Sequence, residues 1–400
     1  MSKSKLINIY LGHPAHYHLF KNVIKNLKAD GYEVDVLIKK KENLEQLLQN
    51  DGVPYYNILR EGRKDSKFGI AMGVFKRIWR LFWFVVKRRP LLLAGTSVEN
   101  SYVGPLLRIP AIYVGEDDAP ATPTETNVCY PGAKDVVTPT CCDDGKWAYK
   151  TTKYPSYHEL AYLHPNHFTP SADIVRQQGI NPDKPYAIMR FVKLKANHDD
   201  NIKGINLSVA MRLVEIMKPH MDIYITSERE LEPELEPYRI KINPIYMHHV
   251  MAFASLYIGD SQTMAAEAGV LGVPFVRFND FVGRIGYLRE LEDKYELGYG
   301  AHATVLSPDS DIRRNDGTVQ PSGVEELYKR VEALVNMEAA ERRTVWAERR
   351  KQMLADHIDA AKFLTWFFEH YPDSAYQIRT VNDASQNDPK KAADFWNRFK

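Results

Sequence analysis

The chain has 400 residues, 44% apolar and 26% charged, a globular balance that excludes disordered, collagen-like and coiled-coil classes. Lysine plus arginine number 53 against 51 aspartate plus glutamate, and a net charge of +2 gives no whole-protein case for nucleic-acid binding. Three cysteines, Cys129, Cys141 and Cys142, are too few for a disulfide framework and point to a reducing, cytoplasmic setting.

Length predicts two domains of roughly 150–200 residues. The first thirteen residues, MSKSKLINIYLGH, run into a strand at Leu6–Leu11 with no apolar signal region ahead of it. Helical spacing over 18–30 stops at Gly31, a strand follows at 33–38, and helical spacing returns at Glu42–Asn50. The run FKRIWRLFWFVVKRR at 75–89 is both basic and aromatic. It fits an interfacial helix on anionic lipid, or a helix buried against the first sheet with its cationic stems snorkelling. Short strands follow at 90–94 and Ala111–Val114, and 116–157 reads as a long polar loop of the functional kind. Proline-rich 164–184 reads as a linker, and a second βα series carries strands at 187–191, 222–226, Leu256–Gly259 and 275–278. One long helix is predicted over 339–370, then a polar tail. No stretch reaches the roughly 18 apolar residues of a membrane span. Alternating strands and helices predict an α/β protein of parallel βαβ units in two facing domains, with ligands outside the carboxyl ends of the strands.

Three segments carry chemistry. The first strand ends in Gly12-His13-Pro14-Ala15-His16-Tyr17-His18. Such a turn presents backbone N–H groups and the positive end of a helix to an anion, and a histidine there can serve as a general base. Glu116-Asp117-Asp118 ends another strand, where neighbouring carboxylates raise one another's pKa. In the second series a strand runs into Asp260-Ser261-Gln262-Thr263 and a helix. Ser261 or Thr263 can cap that helix and reach a diphosphate. Glu267, four residues beyond Thr263 on the same face, can accept bonds from the vicinal hydroxyls of a ribose. Arg190, Lys193, Lys195, Arg277 and Arg284 lie at or after strand ends and can neutralise a leaving diphosphate. Asp143-Asp144 and Asp199-Asp200 are weak acidic pairs.

The second-series segment resembles the C-terminal-domain signature of GT-B sugar-nucleotide enzymes. In the lipid II N-acetylglucosaminyltransferase family a Thr, a Glu four residues on and a Gly-x-Pro follow a strand, here Thr263, Glu267, Gly272 and Pro274. More closely, the chain resembles the family of domain of unknown function 354 through GHPAHYHLFKNVIKNL, AYLHPNHF, MRFVKLKANHDD, GDSQTMAAEAGVLGVPFVRFNDFVGR and YLRELEDKYELG. The resemblance spans roughly residues 6–300 and the IDAAKFLTWFFEHYP segment. It implies two Rossmann-like domains facing across a cleft, 1–168 on the acceptor side and 169–371 on the nucleotide-sugar side. The C-terminal helix would pack back toward the first, leaving 372–400 as a polar tail.

The implied activity is transfer of a sugar from a nucleotide sugar, UDP-linked, to a hydroxyl of a carbohydrate or lipid-linked acceptor in surface polysaccharide or glycoconjugate biosynthesis. No metal, no further cofactor and no nucleic acid are expected, and peripheral membrane contact would run through 75–89. His16, Glu116, Asp117 and His198 are the catalytic candidates. Gly12, His13, Arg190, Ser261, Gln262, Thr263, Glu267 and Arg277 are the nucleotide-sugar-binding candidates. The chain also resembles non-hydrolysing UDP-N-acetylglucosamine 2-epimerases through Glu116, Glu125 and His198, but their strand-end Asp falls at Thr96. That epimerase-like reading and a non-catalytic nucleotide-sugar-binding role remain the alternatives.

Overall fold

The computed structural model describes residues 5–39, 42–59, 67–192, 204–227, 229–384 and 388–400. The chain forms two compact units, Met1–His167 with His357–Lys400, and Phe168–Asp356.

The first unit is built on β1 (Leu6–Leu11), β2 (Glu33–Lys39), β3 (Tyr56–Leu59), β4 (Leu92–Gly95), β5 (Ala111–Val114), β6 (Asp135–Pro139) and β7 (Thr151–Tyr154). All pair in parallel, in the order β3-β2-β1-β4-β5-β6-β7. The second holds β8 (Tyr186–Phe191), β9 (Asp222–Ser227), β10 (Leu256–Gly259), β11 (Phe275–Asn279) and β12 (Gly298–His302). These are also parallel, in the order β12-β11-β10-β8-β9. Helices cover both faces of such sheets, so central strands are apolar throughout rather than alternating. All six residues of β1, LINIYL, are buried. In the first core Tyr10, Leu37, Leu93 and Ala111 meet Leu81 and Val85 of the helix Lys67–Arg88 and Val103 of the helix Val98–Leu107.

The region 116–157 is not a loop. It contains a helix at Pro123–Cys129 and the strands β6 and β7. Four- and five-residue strands edged by Asp135, Pro139 and Lys153 leave little periodic signal. β12, with the sequence GYGAH, escapes detection because Gly and Ala have low strand propensity.

The C-terminal boundaries are also corrected. The expected helix over 339–370 is two helices, Ala339–Asp356 and Ala360–Glu369. Asp359 starts the second by accepting the Lys362 N–H at 3.0 Å. Residues from His357 onward belong to the first unit, so the second domain does not extend to 371. Nor is 372–400 a loose polar tail: it forms helices at Asp373–Ala384 and Pro389–Trp396. Tyr371 donates to Asp135 Oδ2 at 2.5 Å, and Arg379 pairs with the same carboxylate. Phe363 is fully buried, 4.8 Å from the Tyr154 ring, 5.8 Å from Trp396 and 5.6 Å from Phe399. Among the described residues no helix is long and apolar enough to cross a membrane.

Phe363→Ala is expected to cost about 3–5 kcal/mol, the usual penalty for emptying a buried aromatic site. Amide exchange should accelerate in β6 and β7 while β8–β12 keep their protection. Equal acceleration in both sheets, or none, would contradict the assignment of 357–400 to the first unit.

Candidate functional site

In an open parallel sheet the loops diverge where the strand order reverses, and ligands bind at the carboxyl ends there. The first sheet reverses between β1 and β4, the second between β8 and β10. A Cβ on Gly95, at φ +139°, would stand 2.4 Å from Tyr10 O, so only glycine fits the end of β4. A Cβ on Gly259 would stand 2.7 Å from Arg190 O.

At the first reversal, Pro14 opens the helix Pro14–Ala29 and His13 caps it, Nδ1 accepting the Ala15 N–H at 3.2 Å. The exposed His13 therefore supports the turn. The Gly12 N–H donates to His16 Nδ1 at 3.1 Å. Thr96 Oγ1 lies beside the same ring, 2.5 Å from Nδ1 and 2.9 Å from Nε2. Gly12, His13 and His16 thus share one turn, and Thr96, which the residue pattern marks only as a missing Asp, is the hydroxyl partner of His16. His18 packs against Tyr162 instead, the rings tilted with centroids 5.2 Å apart.

One strand beyond β4, the three consecutive acids after β5 do three different things. Glu116 turns inward: Oε1 accepts the His158 N–H at 2.6 Å, and Oε2 lies 3.5 Å from His158 Nδ1. Burial, then the charge of Glu159, pushes the Glu116 carboxyl well up. Burial drives the His158 imidazole down to about 3, so it is neutral at pH 7. Asp118 is buried and accepts the Asp143 N–H at 2.9 Å. Asp117 alone of the three is exposed. Partial desolvation, with Glu125 and Asp118 adding to it, raises its carboxyl to about 6. Glu125 in turn accepts the Tyr113 hydroxyl at 2.6 Å. The expected cluster therefore offers one accessible carboxylate, with Glu116 and Asp118 as its supports. Asp144 is internal too, paired with Lys153 at 2.6 Å.

At the second reversal, Arg190 of β8 is half-buried and in register with Gly259 of β10. Asp260 ties the two strand ends together by accepting the Val192 N–H at 2.8 Å, and burial raises its carboxyl to about 6. Ser261 caps the helix Gln262–Leu271, Oγ accepting the Met264 N–H at 3.4 Å. Ser261, Gln262 and Thr263 form a half-exposed first turn, where N–H groups and the helix dipole favour an anion. Glu267 is buried, and His248 Nε2 donates to its Oε1 at 2.9 Å.

Arg277 departs from expectation. It is fully buried, its Nε and Nη2 bonding Glu292 at 2.6 and 3.0 Å while Nη1 bonds Gln262 Oε1. Its charge is neutralised inside the fold, so it positions Gln262 and is not a strand-end cation open to a leaving group. His198, Lys193, Lys195, Asp199 and Asp200 lie outside the described residues. Among the described residues no group of three or more His, Cys, Asp or Glu side chains is placed to hold a metal ion. His158, His248, Asp260 and Glu292 were missed. Asp260 had a signal, an acid following Gly259 at a strand end. The others act through partners 15 or more residues away in sequence.

The structure resembles a Staphylococcus aureus MnaA–UDP complex, with 10% identity and TM-score 0.62 over 92% of this chain and 97% of the other. It also resembles the UDP-GlcNAc 2-epimerase of Neisseria meningitidis bound to UDP-GlcNAc, with 12% identity, TM-score 0.55 and coverage of 87% and 99%. The spinosyn rhamnosyltransferase SpnG complexed with thymidine diphosphate gives 13% identity, TM-score 0.54 and coverage of 90% and 99%. At such identities the likeness establishes the fold, which is GT-B. No curated protein matches in sequence. The profile of a family described as protein of unknown function (DUF354) matches residues 6–281, well over half of the 400 residues, and the chain belongs to that family.

Proposed function

We propose that the protein is a glycosyltransferase that takes a UDP-linked sugar at the β8/β10 strand ends and delivers it to a hydroxyl of a carbohydrate or lipid-linked acceptor. Two observations support the choice of transfer over epimerisation. The β4 end carries Thr96 bonded to His16, and of the three acids after β5 only Asp117 is exposed. Removing the proton from C2 of a sugar needs a dedicated strong base, whereas activating an acceptor hydroxyl as it attacks needs a modest one. The neighbours solved with UDP, UDP-GlcNAc and thymidine diphosphate support a nucleoside diphosphate as the carrier.

In this reading the first turn after Ser261, with Arg190, holds the diphosphate, and Glu267, fixed by His248, accepts from the ribose. Asp117 takes the acceptor proton. The acceptor oxygen bonds to the anomeric carbon as the bond to the diphosphate oxygen breaks, and the electron pair leaves with the diphosphate. Rate enhancement comes from positioning and from charge stabilisation at the helix start. His16 orients the acceptor side, and Glu116 braces the Asp117 turn.

Because Asp117 acts as carboxylate, turnover should rise with pH through about 6 and then level. Asp117→Asn should remove that limb and most of the rate. In deuterated water, UDP release should require an acceptor, with no deuterium at C2 of the sugar. Deuterium at C2 without acceptor would select the epimerase reading with Glu116, Glu125 and His198. UDP binding without turnover against any acceptor would select the binding-protein reading.

The acceptor proposal extends to a membrane. The helix Lys67–Arg88 contains no Asp or Glu and six Lys or Arg. Leu81 and Val85 are buried, while Met72, Phe75, Trp79 and Trp83 stay 41%, 61%, 55% and 48% exposed. Residues 72, 75, 79 and 83 follow helical spacing, so one face is buried and another presents an aromatic stripe among cations. The buried face fits the packed-helix reading, and the exposed stripe is what supports the proposed lipid contact. The full chain should co-sediment with phosphatidylglycerol vesicles at low salt and much less at high salt. Trp79→Ser with Trp83→Ser should abolish the pelleting, and a wild-type chain that stays in the supernatant would rule out membrane docking.

A further inference from the structure

The second unit has a cavity of about 670 Å³ at the opposite end of its sheet from the Ser261 turn. Ala254 and Ser255, just before β10, line it, as do Val273 and Pro274, just before β11. Its other wall is the helix Ala339–Asp356, which contributes Arg342, Arg343, Arg350 and Lys351. Four cations face one lining acid, Asp183, and that carboxylate is already bonded to Arg176 at 3.0 Å. Lys351 shares charge with exposed Glu348 at 3.6 Å.

The arginines set this cavity apart from an ordinary charged surface. Arg342 is 5% exposed, and its Nη1 donates to Leu334 O at 2.6 Å and Met337 O at 3.4 Å. Arg350 is half-buried, and its Nε donates to Val270 O at 2.8 Å. Both bonds stitch helix ends, a structural duty for each side chain. They use only part of a five-donor fork, however. Among the described residues neither guanidinium, nor that of Arg343, has a carboxylate within ion-pair distance. Burial, then the neighbouring charge of Arg343, pulls Arg342 below its ordinary value against an opposing pull from Glu338, and burial alone pulls Arg350 down.

We propose that this cavity is a second anion site, built for a small phosphate-bearing ligand of the diphosphate class. A guanidinium fork matches phosphate oxygens bidentately, and partly desolvated donors are stronger than solvated ones. The site goes beyond the proposed transfer activity. The helix Gln262–Leu271 separates the two ends by about 15 Å, so one ligand does not fill both. Arg350 holds Val270 O at the far end of the helix whose first turn starts at Ser261. Occupancy of the cavity therefore bears on the helix that serves the proposed nucleotide site.

Arginine footprinting tests this on the full chain. Phenylglyoxal labelling, read by mass spectrometry, should fall several-fold at Arg343 and Arg350 when inorganic pyrophosphate is added. Arg343→Gln with Lys351→Gln, both on the exposed rim, should raise the pyrophosphate concentration for half-protection of Arg350 about tenfold, as loss of charge-assisted bonds requires. Protection of the same arginines by UDP at lower concentration assigns a nucleoside diphosphate, and protection by pyrophosphate alone assigns the bare anion. Unprotected cavity arginines, protection confined to Arg190, or half-protection unmoved in the double variant would each overturn the proposal. The wild-type footprint decides by itself if the double variant does not fold.

Discussion

At each sheet's reversal a backbone carbonyl occupies the space where a Cβ would stand, and both candidate sites depend on that contact. Tyr10 O closes on Gly95, and Arg190 O on Gly259. The reversal of strand order there sends the onward loops to opposite faces of the sheet and leaves a crevice between them, while the close contact fixes where the strand ends sit. Each crevice receives a helix start: the His13–Pro14 turn in one unit, the Ser261 turn in the other. A larger residue at either glycine would displace the strand end and, with it, every side chain assigned a role.

Around these turns the fold uses buried charge as scaffolding. Asp260 holds the Val192 N–H, Glu116 the His158 N–H and Asp118 the Asp143 N–H. Arg277 and Glu292 lock together beneath Gln262. An unpaired ion in such places costs several kcal/mol, so each buried charge is tied to a partner or shifted toward neutrality. The division of labour along Glu116-Asp117-Asp118 follows: two carboxylates fix the backbone, and the one between them meets solvent. The cationic cavity in the second unit differs, because Arg342 and Arg350 are bonded to carbonyls and, among the described residues, form no ion pair with a carboxylate.

Legibility in the sequence tracked how local each determinant was. The α/β class and the family were readable because parallel strands are continuous apolar runs and strand-end turns keep their glycines and caps close in sequence. Ser261, Thr263 and Glu267 fall within seven residues, so their shared helix could be placed without tertiary information. β6, β7 and β12 were missed because their strand character comes from sheet neighbours rather than from periodicity. The break at 357–359 lay hidden in continuous helical spacing, with Asp359 as its one local sign. The burial of Arg277 was invisible for a similar reason: its partner Glu292 is 15 residues on, and nothing near Arg277 shows that its charge is spent. His248 likewise gains meaning only once Glu267 is known to be buried beside it.

Hydrogen–deuterium exchange of the full chain with and without saturating UDP tests the proposed nucleotide site at the β8/β10 strand ends. UDP should slow exchange at 190–192 and 260–271, an effect weakened in Glu267→Ala, while β9 is unchanged. UDP binding seen by calorimetry without protection at those residues, or with protection confined to the first unit, would contradict it.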